Sequence, residues 1–372
     1  MKRFSLVILS LFLLLSCFGC SQQQAFQRFE SSYTFLDNGD VYENTGAIVF
    51  KDYSEGTSQL ICRDENCEHL PYYTDKNPSP TCSAVSHNSF NFAAVIAHKK
   101  SLYLFESVSG KINIYKSNLY GENRQLVCSV DGSNISQYIF FDGKTMIFAS
   151  DLFIEEQYKQ VKTIGNVYSV NIKNGEATVL YHSEDAFTLG QLAMSGRELI
   201  VWHDMRFFDD LTIMNIGRAQ AYSVNIDTGE KTLLFESYPE KPLTILGTFG
   251  EYIIYSEDLS TDSFWNISYY KMSIHSGKTE KIHQYHDEIR YGGSSMICVA
   301  DNMFLFYMDD GVSGGYAVDI ETGAKRPILP KNNGFIVGSY KNKYKTILWE
   351  DGMKGYFLQD KNDFLNYQDI EP

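Results

Sequence analysis

Positive charge is the first shortage in this sequence: 32 Lys and Arg stand against 46 Asp and Glu, leaving a formal net charge of −14 over 372 residues. So acidic a chain offers little to a phosphate backbone, and a nucleic-acid partner is not expected. Beyond the first twenty residues no apolar run is long enough to span a bilayer, and no α-helical periodicity appears. The sequence also holds no Gly-x-Ser-x-Gly elbow, no phosphate-binding glycine loop and no dinucleotide fingerprint. What it does hold is apolar and aromatic surface: 44% hydrophobic residues, with 26 Tyr and 25 Phe. That content excludes a disordered chain.

Met1-Lys2-Arg3 and the apolar run Phe4 to Leu15 have the layout of a secretory signal, too short for a comfortable membrane span. Leu14-Leu15-Ser16-Cys17 and Gly19-Cys20-Ser21 then resemble a bacterial lipobox, in which the cysteine is lipidated and becomes the new N-terminus. Either Cys17 or Cys20 fits that role; the alternative is an ordinary signal whose cysteines are incidental. Residues 1–20 are thus read as signal peptide and lipobox, 21–32 as a tether, and 33–368 as one folded domain. Lipidation with more than one chain anchors a protein stably. The expected location is the outer face of a membrane in the bacterial cell envelope, with membrane contact through the lipid alone.

The body repeats itself. Tyr222-Ser223-Val224-Asn225-Ile226-Asp227-Thr228-Gly229 has relatives at Tyr168 to Gly175 and Tyr316 to Gly323, and weaker copies ending at Gly121 and Gly277. The five glycines lie 54, 54, 48 and 46 residues apart, a period that indicates a solenoid or propeller. Each copy alternates apolar and polar residues into a glycine turn, which is hairpin chemistry. A second hairpin precedes each one, as in Gln191 to Met194 with Glu198 to Trp202. Four antiparallel strands per repeat describe the blade of a β-propeller. Six blades fall near 92–130, 135–183, 188–237, 243–285, 292–329 and 335–368; a strand pair at Ala47 to Lys51 and Ser58 to Cys62 supplies an irregular first one. The expectation is an all-β propeller of seven blades, with six as the alternative.

Tyr-x-Val-Asp-x-x-Thr-Gly at 316–323 and its copies resemble the repeats of quinoprotein-like propellers, without the blade-end tryptophan: Phe235 and Leu329 lie roughly there. That likeness implies a fold and no quinone. Cys62-Arg63-Asp64-Glu65-Asn66-Cys67-Glu68-His69 with Thr81-Cys82 is similar to a Cys…Asn-Cys-x-His…Cys motif of uncharacterised propeller lipoproteins from Firmicutes, with Glu65 replacing the usual proline. The resemblance implies location and fold, and no activity.

Cys62, Cys67, His69 and Cys82 also have the ligand count of a closed Cys₃His zinc site. Structural zinc, one disulfide plus a free thiol, and unlinked thiols all remain open, since thiols outside the membrane tend to pair. Cys128 and Cys298 fall in strand patterns and read as inert buried thiols. His203, His283 and His286 read as structural before they read as catalytic or metal-binding.

Three second-to-third-strand connections are long: Asp151 to Gly165, Asp204 to Gly217 and Glu257 to Asn266. Their aromatic and charged residues nominate a ligand face, with Phe153, Tyr158, Arg206, Phe207, Phe208 and Trp265 as candidates. The competing reading folds these rings back onto their own blades. The leading expectation is a non-enzymatic surface lipoprotein binding an extracellular glycan or protein. A glycan-degrading hydrolase or lyase, and a scaffold in an envelope complex, are the alternatives.

Overall fold

The computed structural model describes residues 25–31, 33–36, 38–156, 159–184, 188–209, 213–238, 240–261, 263–288, 295–300, 303–308, 315–328, 335–340, 342–350 and 353–365. The described chain is all-β and antiparallel. After β1 (Gln27–Glu30), the first meander is β2 (Tyr33–Phe35), β3 (Gly39–Asn44), β4 (Ala47–Asp52) and β5 (Ser58–Leu60). The second is β6 (Ala94–His98), β7 (Ser101–Val108), β8 (Lys111–Asn118) and β9 (Gln125–Asp131). The third is β10 (Asn134–Phe141), β11 (Thr145–Glu156), β12 (Lys159–Asn171) and β13 (Ala177–Ser183). The fourth is β14 (Thr188–Ser195), β15 (Glu198–Asp209), β16 (Ile213–Asn225) and β17 (Lys231–Ser237). The fifth is β18 (Leu243–Phe249), β19 (Tyr252–Asp258), β20 (Phe264–Ser273) and β21 (Thr279–Glu288). The sixth is β22 (Ser295–Ala300), β23 (Met303–Met308), β24 (Gly315–Asp319) and β25 (Lys325–Ile328). Three strands close the series, β26 (Phe335–Tyr340), β27 (Lys343–Glu350) and β28 (Met353–Asp360), followed by a one-turn helix α1 (Lys361–Leu365).

The repeat owes its regularity to one turn. In the third meander Asn171 accepts the N–H of Lys173 on its side chain and that of Gly175 on its carbonyl. Asn225 with Gly229 and Asp319 with Gly323 repeat the device, the side-chain oxygen capping the turn before the strand reverses. Gly229 closes its copy at φ +73°, where a Cβ would be strained.

Apolar clusters fill the gaps between successive meanders. At the outer strands the gap is clasped by aromatic rings. Six residues after each turn glycine stands Tyr181, Phe235 or His283, and each reaches the next meander. Tyr181 meets Tyr222 at 5.6 Å, Phe235 reaches Tyr270 through Tyr255, and His283 meets Tyr316 at 4.7 Å. A lysine on the fourth strand covers the tyrosine each time: Lys231, Lys281 and Lys325. His283 therefore occupies a structural aromatic position and is hydrogen-bonded to the Tyr316 hydroxyl.

This placement makes His283 an acid-labile joint. Burial, and then the charge of Lys325, push its pKa down to about 4 from the ordinary 6.5. Between these values the unfolded chain takes up a proton that the folded chain resists, so stability falls as pH drops through this window. His283→Phe should keep the ring packing and lose less melting temperature than the wild type between about pH 7 and pH 4.5. Parallel melting-temperature profiles would refute the assignment.

Two features differ from the sequence reading. Residues 27–30, read as tether, form β1, which pairs with β10 on one side and β2 on the other. The first meander and the third thereby join into one nine-stranded sheet. The cause is Phe29, 5% exposed, which packs beside His98 and Phe141 between the second and third meanders. The stretches 151–165 and 204–217, read as loops, are mostly strand. β11 leaves β10 at Asp151 and continues against β12 to Glu156. β15 leaves β14 at Asp204 and continues against β16 to Asp209. Each is a two-stranded ribbon projecting about 17 Å beyond its sheet at 3.3–3.4 Å per residue.

Candidate metal centre and ligand face

The segment from β5 to β6 carries the cysteines, and backbone bonds fix it at both ends. Ile61 donates to Ile48 O and Ile48 donates to Ala84 O at 2.7 Å. Between them, Asp64 accepts the Asn66 N–H on its carboxylate and the Cys67 N–H on its carbonyl, a turn that brings Cys67 back towards Cys62. His69 adopts φ +53°, reversing the chain so that its ring faces the thiols. Asn77 ties the outgoing loop by donating to Leu70 O and Pro71 O.

The Sγ atoms of Cys62, Cys67 and Cys82 and a ring nitrogen of His69 all lie within 4.8 Å of one another, and His69 Nδ1 is 3.3 Å from Cys82 Sγ. Sulfurs about 3.8 Å apart are the edges of a tetrahedral site with Zn–S bonds of about 2.3 Å. Cys62, Cys67, Cys82 and Cys128 are unlinked. Cys82 is buried, and the other three members of the cluster are half-buried. Burial and the neighbouring Cys67 and Cys62 thiols push the Cys82 pKa up to about 12. Burial acts the same way on Cys62, but hydrogen bonds from Asp64, Ser83 and Cys82 outweigh it and hold that thiol below its usual range. The cluster can bind a metal such as zinc, and the four side chains present fit one. A bound zinc would be saturated by these four ligands and would supply cross-linking, with no open position for substrate.

A buried ion pair holds the Cys82 side of the site, and the sequence reading missed it. Glu106, whose side chain is 1% exposed, accepts from Arg124, from the His87 N–H and from Asn88 Nδ2. Arg124 in turn donates to Ser83 O and Val85 O, both at 2.7 Å. His87 bonds Cys82 O through Nε2. Gly121 lies so close that a Cβ there would sit 2.0 Å from Ser83 O. The available signal was the turn Asn118 to Arg124, where an arginine follows the glycine.

The candidate ligand residues divide between the ribbons and the end of the fifth meander. Phe153 lies in β11 opposite Thr163; Arg206, Phe207 and Phe208 lie in β15 opposite Ile216, Asn215 and Met214. Tyr158 falls outside the described residues, as do Cys17 and Cys20. Trp265 is half-buried and packs against the core between the fifth and sixth meanders. Its neighbour Phe264 is 41% exposed and stacks on His286 at 5.8 Å and 5°. Both sit at the end of the fifth meander where β19 connects to β20, the connection that becomes a ribbon in the third and fourth meanders. Cys128 is buried, and burial pushes its pKa up to about 11.

No family model and no curated protein matches the chain. Solved structures do. An oligogalacturonate lyase from Vibrio parahaemolyticus is similar at TM-score 0.56 and 9% identity, over 91% of this chain and 90% of that one. The tricorn protease is similar at TM-score 0.50 and 9% identity, over 91% of this chain but 36% of its own. An acylaminoacyl peptidase from Pyrococcus horikoshii gives TM-score 0.47 and 14% identity, over 72% of this chain and 44% of the peptidase. The chain spans less than half the length of these two peptidases. The fold is β-propeller-like.

Proposed function

We propose that this chain is a seven-bladed propeller lipoprotein of the bacterial envelope, anchored through Cys17 or Cys20, that binds an extracellular glycan on one face. The observation that carries the reading is that β11–β12 and β15–β16, on consecutive meanders, both extend past their sheets at the second-to-third-strand connection, the connection at which Phe264 of the next meander stacks on His286. Ribbons rising from consecutive blades can wall a groove, and a flat exposed ring is what the apolar face of a sugar stacks upon. The seventh blade is the three-stranded β26–β28 unit, the irregular first one being β2–β5. The Cys₃His cluster holds zinc as a staple of the segment between the first two blades.

A glycan-degrading enzyme is the second reading. The whole-chain likeness to an oligogalacturonate lyase supports it better than it supports simple binding, although at 9% identity the likeness extends to the fold alone. A protein ligand is the third. A polysaccharide array on the domain from residue 25 onward, with mass-spectrometric search for released products, separates them. Binding without products supports the first reading, and unsaturated or hydrolysed products move the protein to the second. Silence on every polysaccharide overturns both and leaves a protein ligand. The variant Phe207→Ala/Phe264→Ala should lose about tenfold or more in glycan affinity at unchanged melting temperature, two stacked rings being worth about 1 kcal/mol each. Undiminished affinity would remove the ligand from this face.

A further inference from the structure

A cavity of about 590 Å³ opens between the β2–β3 turn, the outer strands β4 and β5 and the β8–β9 turn. It lies within the size range of small-molecule sites and away from both ribbons. Val41, Phe50, Leu60 and Leu119 give it apolar walls, and the Cys62 residue lines it where the metal cluster begins. At the rim the Arg63 guanidinium sits over the Tyr120 ring, its carbon 3.1 Å from the ring centroid. No carboxylate lies within ion-pairing distance of Arg63 among the described residues. A guanidinium parked on an aromatic face keeps its N–H edge free, so it is a preorganised receptor for a planar anion.

A cavity lined by Val41, Phe50 and Leu60 together with Asn38 and Gln59, with one cation free of ion pairs at its mouth, fits one ligand chemistry. We propose that it binds a small apolar molecule carrying a single carboxylate, the apolar body between Val41, Phe50 and Leu60 and the carboxylate on Arg63. A neutral molecule of the same shape gains the walls and forgoes the cation. A larger polyanion gains the cation and cannot enter the walls. This inference is independent of the glycan face, because no residue is shared between them.

Decanoate and decanol are the probes, titrated calorimetrically into the domain from residue 25 onward. The expected result is saturable binding of one decanoate per chain, with decanol about tenfold or more weaker, as for the loss of a charged hydrogen bond. Arg63→Gln should weaken decanoate to the level of decanol while leaving the melting temperature unchanged. Leu60→Trp, which fills the cavity from β5, should weaken both. Absent saturation, equal affinity for the two probes, or decanoate binding that survives Arg63→Gln overturns the proposal. Binding that survives Leu60→Trp places the ligand elsewhere and overturns it too.

Discussion

Cys67→Ser is expected to abolish zinc binding and to lower the melting temperature by about 4–6 °C. That figure follows from about 3–4 kcal/mol of linkage at metal concentrations far above the dissociation constant, spread over a domain of this size. Cys67 is the ligand of choice for the test because it is half-buried, so the serine leaves no core cavity. Cys82 is a poorer choice, since its sulfur also accepts the Ala84 N–H and packs in the core. Two measurements decide the matter. Elemental analysis should find one zinc per wild-type chain and none in the variant. A strong chelator should lower the wild-type melting temperature to that of the variant and leave the variant unmoved. A wild type that carries no metal, takes up none on titration and shows a Cys62–Cys67 disulfide by mass would sink the metal reading.

The second large effect is expected at a residue that touches no ligand. Glu106→Ala should destabilise by about 3–5 kcal/mol, because it leaves Arg124 buried without its carboxylate. Arg124 is 9% exposed at its side chain and anchors Ser83 O and Val85 O, so loss of its partner loosens the strip that carries Cys82. Zinc affinity should therefore fall together with stability, as removal of outer-shell support typically weakens metal sites about 10–100-fold. Glu106→Gln restores part of the hydrogen bonding and should recover part of both. Unchanged zinc affinity in Glu106→Ala, with stability lost, would confine the ion pair to holding the fold.

The sequence was informative where physics is local. The Asn/Asp-to-glycine turns marked the strand pairs because one side chain and one left-handed residue determine each reversal, as at Asn225 and Gly229. Cys62, Cys67, His69 and Cys82 could be named as a group because ligand chemistry restricts which residue types serve. What escaped was set by distant partners. Nothing in Gln27 to Glu30 announces that it pairs with 138–141, and nothing near Glu106 announces Arg124. The ribbons escaped for a different reason: their backbone partners are local, but polar stretches such as Glu155-Glu156 lack the apolar alternation that marks a half-buried strand. In the sequence His283 pairs only with His286 across Tyr285, too sparse for a metal site, whereas its position six residues after Gly277 makes it the counterpart of Tyr181 and Phe235.

β1 also bears on the order of events during synthesis. Its hydrogen-bonding partner, residues 138–141, leaves the ribosome more than a hundred residues later. Until then Phe29 has neither Phe141 nor the edge of β10 to settle against. Chains are made N-terminus first, and closing so long a loop carries an entropy penalty that only a formed third meander can offset. β1 is thus made well before it can be placed, whereas the first meander can already pack on the second. A nascent chain halted before residue 134 should leave residues 27–30 open to protease, and one halted after the third meander has emerged should protect them.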